Sequence, residues 1–185
     1  MSRPIDVAVF VGSLRKASLN RRMAHALSPL CPPELKLDPV ALRDLPLYDE
    51  DLEAEVPAPW RTFRERVARA HALLFVTPEY NRSMPGALKN ALDVGSRPYG
   101  KSVWGGKPAA VVSVSPGSIG GFGANHHLRQ SLVYLDVPVM QQPEAYIGNA
   151  SSLFDEHDRI TNESTRDFMT QFMRSFSGWA QRFLR

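Results

Sequence analysis

The sequence predicts an α/β protein, a parallel sheet covered on both faces by helices. Short apolar, β-prone runs alternate five times with stretches of helical periodicity. The strand-like runs are apolar throughout, as in strands buried on both faces. No internal repeat, low-complexity tract or linker divides the 185 residues. That length suits one domain of roughly 100–200 residues, here residues 1–185.

Ile5 to Val11 is the first strand, and Gly12-Ser13 ends it. Leu19, Met23, Ala26, Leu27 and Leu30 recur at helical spacing, with Ser18 as N-cap and Pro32-Pro33 as the stop. Leu35 to Val40 is the second strand. Pro46 to Pro59 reads as a loop, followed by a helix carrying Trp60, Phe63 and Val67. Ala72 to Val76 is a third buried strand, ended by Thr77-Pro78. Pro85 or Gly86 opens a helix with Ala87, Leu88, Ala91, Leu92 and Val94. Pro108 to Val114 is the fourth strand, Ser115 to Gly123 a glycine-rich loop, and Leu128, Leu132 and Leu135 mark the next helix. Val137 to Met140 reads as a short fifth strand. The last helix puts Phe168, Phe172, Phe176, Trp179 and Phe183 on one face, with Met169 and Met173 beside them.

Composition excludes several classes. Hydrophobic residues are 43% and charged residues 22%, as in globular rather than disordered chains. A single cysteine, Cys31, allows neither an internal disulfide nor a cysteine-built zinc site, and reads as a small, partly buried hydrophobe. Twenty-two Lys and Arg against nineteen Asp and Glu leave +3. The basic residues are dispersed. The densest group, Arg61, Arg64, Arg66 and Arg69, lies at helical spacing and reads as a solvated helix face, not a nucleic-acid footprint. The longest stretch without a charge, Pro108 to Leu128, holds glycines, prolines, serines and histidines unsuited to lipid. A soluble, cytoplasmic protein with no nucleic-acid or membrane partner is the expectation. No metal is expected: Asp49 to Glu55 lacks the ligand pattern of a calcium loop, and His126 and His127 point apart on a helix.

In open α/β sheets, ligands bind beyond the carboxyl ends of the strands, near the point where strand order reverses. Three loops therefore matter. The first, Gly12 to Asn20, joins a buried strand to a helix. Gly12 permits the turn, Ser13, Ser18 and Asn20 offer short polar groups, and Arg15 offers a planar fork of donors. With the free amides of the helix start, this suits a single phosphate. It has neither the Walker lysine spacing nor G-x-G-x-x-G. In the second loop, Thr77 to Gly86, prolines at both ends stiffen a backbone that can read a flat heteroaromatic ring, with Tyr80 and Asn81 beside it. The third loop, Ser113 to Gly123, is small-residue rich, and Ser115 and the Gly117 amide can face a ring carbonyl. Each loop alone is compatible with ordinary capping and turn formation. Together they describe one ligand with a phosphate at one end and a flat polar ring at the other.

These segments resemble the NAD(P)H-dependent FMN reductases of the flavodoxin-like fold, which include bacterial quinone and chromate reductases. The resemblance rests on Gly12-Ser13-Leu14-Arg15-Lys16-x-Ser18-x-Asn20, Thr77-Pro78-Glu79-Tyr80-Asn81, Pro85-Gly86-x-Leu88-Lys89-Asn90-Ala91-Leu92-Asp93 and Ser115-Pro116-Gly117-x-Ile119-Gly120-Gly121. It implies a three-layer sandwich with a five-stranded parallel sheet in the order 2-1-3-4-5. It implies FMN as cofactor, its phosphate held by Ser13, Arg15, Ser18 and Asn20, with Leu19 also among the cofactor-binding residues. Pro78, Glu79, Tyr80 and Asn81 are then along the isoalloxazine, with Ser115 and Gly117 near its pyrimidine side. NADPH or NADH is the implied co-substrate, and a homodimer or homotetramer the implied assembly. Arg82, Val94-Gly95 and Asn125-His126-His127 depart from the family pattern.

The resemblance implies hydride transfer from the nicotinamide to FMN and on to a small-molecule acceptor, in ping-pong order. Quinones, metal oxyanions, azo compounds and free flavin are the acceptor classes. No catalytic side chain is expected, because the chemistry belongs to the cofactor. A flavodoxin-type electron carrier is the alternative. Carriers often dock through acidic surfaces, and a charge of +3 argues against that role.

Overall fold

The computed structural model describes residues 4–184, so the two ends of the expected 1–185 unit lie outside the described residues. β1 (Ile5–Val11), β2 (Leu35–Val40), β3 (Ala72–Thr77), β4 (Ala109–Val114) and β5 (Ala145–Ile147) form one sheet. Its order is β2-β1-β3-β4-β5, and every pairing is parallel. The helices are α1 (Leu19–Leu27), α2 (Ala58–Arg69), α3 (Gly86–Gly95), α4 (Phe122–Tyr134) and α5 (Glu163–Gln181).

Successive strand side chains point to opposite faces, so one apolar run supplies two cores. Val7, Val9, Leu74, Val76 and Val112 join Met23 and Leu27 of α1 and Phe172 and Phe176 of α5. On the other face, Phe10, Leu73, Phe75 and Val111 join Trp60, Leu88, Leu128 and Trp104. There Phe10 stacks on Phe75 with ring centres 5.0 Å apart, and Trp104 meets Phe10 edge-on at 5.3 Å. All six residues of β3 and of β4 are buried. Burial contributes about 1.5–3 kcal/mol for each large apolar side chain.

Four expectations need correction. The fifth strand is Ala145–Ile147, not Val137 to Met140. Val139 makes only an isolated bridge to Ala109. Pro138 has no N–H to continue a ladder, and the chain regains the β4 edge later, pairing Ala145 with Val112. The first helix stops at Leu27, and Ser28 to Leu30 tighten into a 3-10 turn containing Pro29. On α5 the buried stripe is Met169, Phe172, Met173, Phe176 and Ala180. Phe168 and Trp179 flank that stripe and are half-buried, and Phe183, past the end of α5 at Gln181, is exposed beside Trp179.

Arg64 is the fourth correction. Its side chain is only 12% exposed and binds Glu53. Its Nε donates to Val94 O at 2.8 Å, and the guanidinium lies over Trp60. The acidic segment is a 3-10 helix, Glu50–Glu55, rather than an irregular loop; it is solvated as expected except at Glu53, which Arg64 ties to α2. Cys31 is half-buried, and burial pushes its thiol up to about 11. Among the described residues, no helix is long and apolar enough to cross a membrane, and no group of three or more His, Cys, Asp or Glu is placed to hold a metal.

Candidate functional site

The carboxyl ends of β1, β3 and β4 converge where the order reverses. The Gly12 amide donates to Val76 O at 2.9 Å, binding the first loop to the end of β3. A Cβ on Gly12 would stand 3.1 Å from Pro78 Cδ and 3.2 Å from Thr77 Oγ1, so a side chain there would push the two loops apart. Ser13 is buried, and its hydroxyl approaches the Tyr80 hydroxyl within 3.5 Å. Between the loops lies an open cavity of about 400 Å3 lined by Gly12, Leu14, Arg15, Tyr80 and Gly86.

Ser18 caps α1 as expected, its Oγ accepting from Arg21 N at 3.1 Å. The first-turn amides of Leu19 and Asn20 stand at the positive end of that helix. The Asn20 side chain is buried at 3% exposure, and its Nδ2 donates to Val114 O at 3.4 Å, reaching the end of β4. Its Oδ1 is buried with no hydrogen-bond partner. Arg15 is exposed at the loop's outer edge, and Leu19 is half-buried against the α1–α5 core.

In the second loop, Tyr80 and Ser83 exchange backbone hydrogen bonds of 3.0 and 3.1 Å. Asn81 and Arg82 between them have φ of 51° and 65°. Two successive left-handed residues make the tight reversal of a type I′ turn. Tyr80 and Asn81 are exposed there, and Pro78 is buried beneath. In the third loop the Ser115 hydroxyl accepts from the Gly117 amide at 3.1 Å, and Gly117 itself is exposed. Gly120 has φ of 68° and lies so close to β5 that a Cβ would meet the Tyr146 carbonyl carbon at 2.6 Å.

Several residues do structural work that the sequence pattern did not reveal. The Glu79 carboxylate accepts from Ala124 N at 3.1 Å in the first turn of α4, and pairs with Arg82 at 3.1 Å. Glycine at 123 makes this approach possible, since a Cβ there would lie 3.0 Å from Glu79 Oε2 and 2.9 Å from Arg82 O. The Glu79 side chain is thereby committed to α4 and Arg82. Asn90 binds the chain before α2, accepting from Tyr48 N at 2.7 Å and donating to the Leu45 and Pro46 carbonyls. Asn125 is buried and holds Ser113, Ala145 O and Arg129. His126 and His127 do point apart. The first reaches the Tyr146 hydroxyl at 2.9 Å and the second Ser83 Oγ at 3.0 Å. Burial, then the neighbouring Glu144, push the Tyr146 phenol up to about 12.

Comparison with known proteins is decisive at this point. Residues 5–152 match the family model described as NADPH-dependent FMN reductase. The chain belongs to the NADPH-dependent FMN reductase family. Among relatives of this family, a "Quinone reductase" from Pseudomonas putida is 62% identical over 182 residues, covering 98% of this chain and 97% of its own. A "2-hydroxy-1,4-benzoquinone reductase" from Burkholderia sp is 48% identical, covering 96% and 97%. The solved structure of FerB, a flavoenzyme NAD(P)H:(acceptor) oxidoreductase from Paracoccus denitrificans, superposes with a TM-score of 0.92 at 40% identity, covering 97% and 98%. The family membership makes this chain an oxidoreductase of the NAD(P)H-dependent FMN reductase and quinone reductase type. Its fold is the flavodoxin-like one expected, with the expected strand order.

Proposed function

We propose that the chain is a quinone reductase that draws electrons from NADPH or NADH through bound FMN, in ping-pong order, as one functional unit over residues 1–185. The observation that carries the reading is the polar lining of the β1–α1 turn. Ser13, Ser18 and Asn20 are buried, and Asn20 retains an unspent acceptor. A buried polar atom without a partner costs about 1–3 kcal/mol, which a polar ligand at this turn would recover. The donor set fits the phosphate and polar chain of FMN: the amides of Leu19 and Asn20, the hydroxyls of Ser13 and Ser18, and the Arg15 guanidinium. Pro78, Glu79, Tyr80 and Asn81 would line the ring through backbone and the Tyr80 side chain. Ser115 and the Gly117 amide would stand at its carbonyl edge.

Bound FMN would supply the redox chemistry, accepting a hydride from the nicotinamide and delivering it to the acceptor. The protein's own part is positional. The Tyr80–Ser83 turn would fix one wall, the capped α1 terminus would concentrate positive potential at the phosphate end, and the third loop would stand near the edge where negative charge develops. Donor and acceptor would enter the same opening in turn, which sets the ping-pong order. The relatives' names favour quinones as acceptors. Metal oxyanions, azo compounds and free flavin would be further acceptors able to reach an open site. A cytoplasmic homodimer or homotetramer completes the reading.

The test is spectroscopic and kinetic. The purified protein should be yellow and release FMN, not FAD, on heating. Anaerobic NADPH alone should bleach it promptly, which a flavodoxin-type carrier would not allow. Double-reciprocal plots against a benzoquinone should be parallel. A colourless protein that takes up no FMN ends the proposal, and intersecting plots end the ping-pong order.

A further inference from the structure

A second cavity lies on the other side of the first loop, in the groove between α1 and the edge strand β2. Its volume is about 560 Å3, within the usual range for small-molecule sites of roughly 300–1,000 Å3. The cause is architectural. α1 lies over β1, β3 and β4, so the same face of β2 has no helix above it. Leu37 is left half-buried and Pro39 exposed. The floor is Val9, Val11, Leu37 and Pro39, and the wall is the Arg21, Ala24, His25 and Ser28 side of α1. These four share a helix face by their i, i+3, i+4, i+7 spacing, opposite the core-facing Met23 and Leu27.

The mouth of this groove is cationic. Arg21 donates to Lys16 O at 3.4 Å, and Arg43 donates to Leu14 O. Two guanidinium groups, one from α1 and one from the chain after β2, thus converge on carbonyls two residues apart. Among the described residues neither has a carboxylate partner. His25 is tied to Asp158 at 3.1 Å, and Asp44 contributes one negative charge to the lining. An added peptide strand suits the edge poorly, because Pro39 removes an amide and the exposed Lys36 and Asp38 flank it.

We infer that this groove is a ligand site separate from the cofactor cavity, and that it takes a small amphipathic anion: an apolar body lying on the β1–β2 floor and a carboxylate head between Arg21 and Arg43. A carboxylate matches the planar donor fork of a guanidinium. The apolar floor gains free energy when an apolar body covers it and releases its water. Leu14 lines both cavities, and Ser13, proposed above as a phosphate donor, lines the groove as well, so the two sites adjoin across the first loop.

Decanoate is the probe, titrated calorimetrically into the flavin-loaded protein, with decanol as the uncharged control. One decanoate should bind per chain, with the visible spectrum showing that flavin stays in place. Replacing both arginines (Arg21→Gln with Arg43→Gln) should weaken decanoate about tenfold, the loss of a hydrogen bond to a charged group, and leave decanol nearly unchanged. Ala24→Trp, which fills the groove, should abolish both. Circular dichroism checks that this variant folds, and the arginine pair decides the matter if it does not. The inference is overturned by no saturable binding up to about 1 mM, the range of a very weak complex. Equal decanoate affinity in the arginine variant overturns it as well. So does release of flavin in proportion to decanoate bound, since the ligand would then be in the cofactor cavity.

Discussion

Replacing Glu79 by Ala tests how the loop after β3 is held. α4 begins at Gly121, a left-handed residue that offers no side-chain cap. The Glu79 carboxylate, 13% exposed, comes from the β3 loop and supplies one, accepting from Ala124 N at 3.1 Å. A hydrogen bond to a charged group contributes about 1.5–3 kcal/mol, and a carboxylate at a helix N-terminus about 0.3–1 kcal/mol more. The Arg82 partner is 75% exposed, so its ion pair adds little. Glu79→Ala should therefore cost about 2–4 kcal/mol. For a chain of this size, one kcal/mol lowers the melting temperature by about 2–4 °C, so a fall of roughly 4–16 °C is expected. Denaturant unfolding of flavin-stripped protein isolates this effect from cofactor binding. Glu79→Gln keeps an acceptor without its charge and should fall between the two. A Glu79→Ala protein within about 0.5 kcal/mol of the parent, the usual scatter for an inconsequential surface change, would falsify the capping role.

Four further outcomes are expected. Arg15→Ala should weaken FMN retention by about 1.5–3 kcal/mol, the range for a charged hydrogen bond; an unchanged titration removes Arg15 from the phosphate site. Gly120→Ala should destabilise by about 2 kcal/mol or more through left-handed strain and overlap with the Tyr146 backbone, whereas Gly117→Ala, meeting only Ser115 Oγ at 3.5 Å, should be tolerated in the same melt. Asn90→Ala strips three hydrogen bonds from the chain before α2 and should cost about 2–4 kcal/mol in denaturant unfolding; parity with the parent would show those bonds are replaced by water. The Arg22 hydrogen bond, with help from His25, holds the Asp158 carboxyl below its usual range. Its stabilising effect is therefore present at neutral pH and lost as pH falls through that lowered value. The melting-temperature gap between parent and Asp158→Asn should narrow on going from about pH 7 to about pH 3, and a constant gap contradicts the assignment.

The architecture was legible because β1, β3 and β4 are buried on both faces and so appear as unbroken apolar runs. The strand ends were legible for the same reason, since Gly12, Thr77-Pro78 and Ser115-Pro116 interrupt those runs abruptly. β5 was obscured because it is three residues long, too short for a pattern, and because Val137 to Met140 has equal apolar content nearby. What separates the two is a proline without an amide and the register of β4, a tertiary fact. Arg64 and Glu53 were misjudged alike. Each looks like surface charge until the other is brought within reach, and their separation of eleven residues across a 3-10 turn carries no periodic signal. The Glu79 cap was equally hidden, because its acceptor role is defined by a helix forty-five residues later. A hint existed in Gly121 and Gly123, which leave α4 without a side-chain cap and clear space for one from elsewhere.

The polar groups at the sheet's carboxyl edge divide into two sets. Around β4 and β5 they satisfy one another: Asn125 binds Ser113 Oγ and Ala145 O and accepts from Arg129 at 2.8 Å. That side is a closed network and rigidifies the third loop. Around β1 and α1 the accounts are incomplete, with the buried Asn20 acceptor unmatched. A protein that buries polar groups to hold its own fold satisfies them internally, because each unmet group costs free energy. The asymmetry supports the proposed orientation, in which the polar end of FMN would lie against β1 and its ring would reach toward the glycine-containing β4 loop.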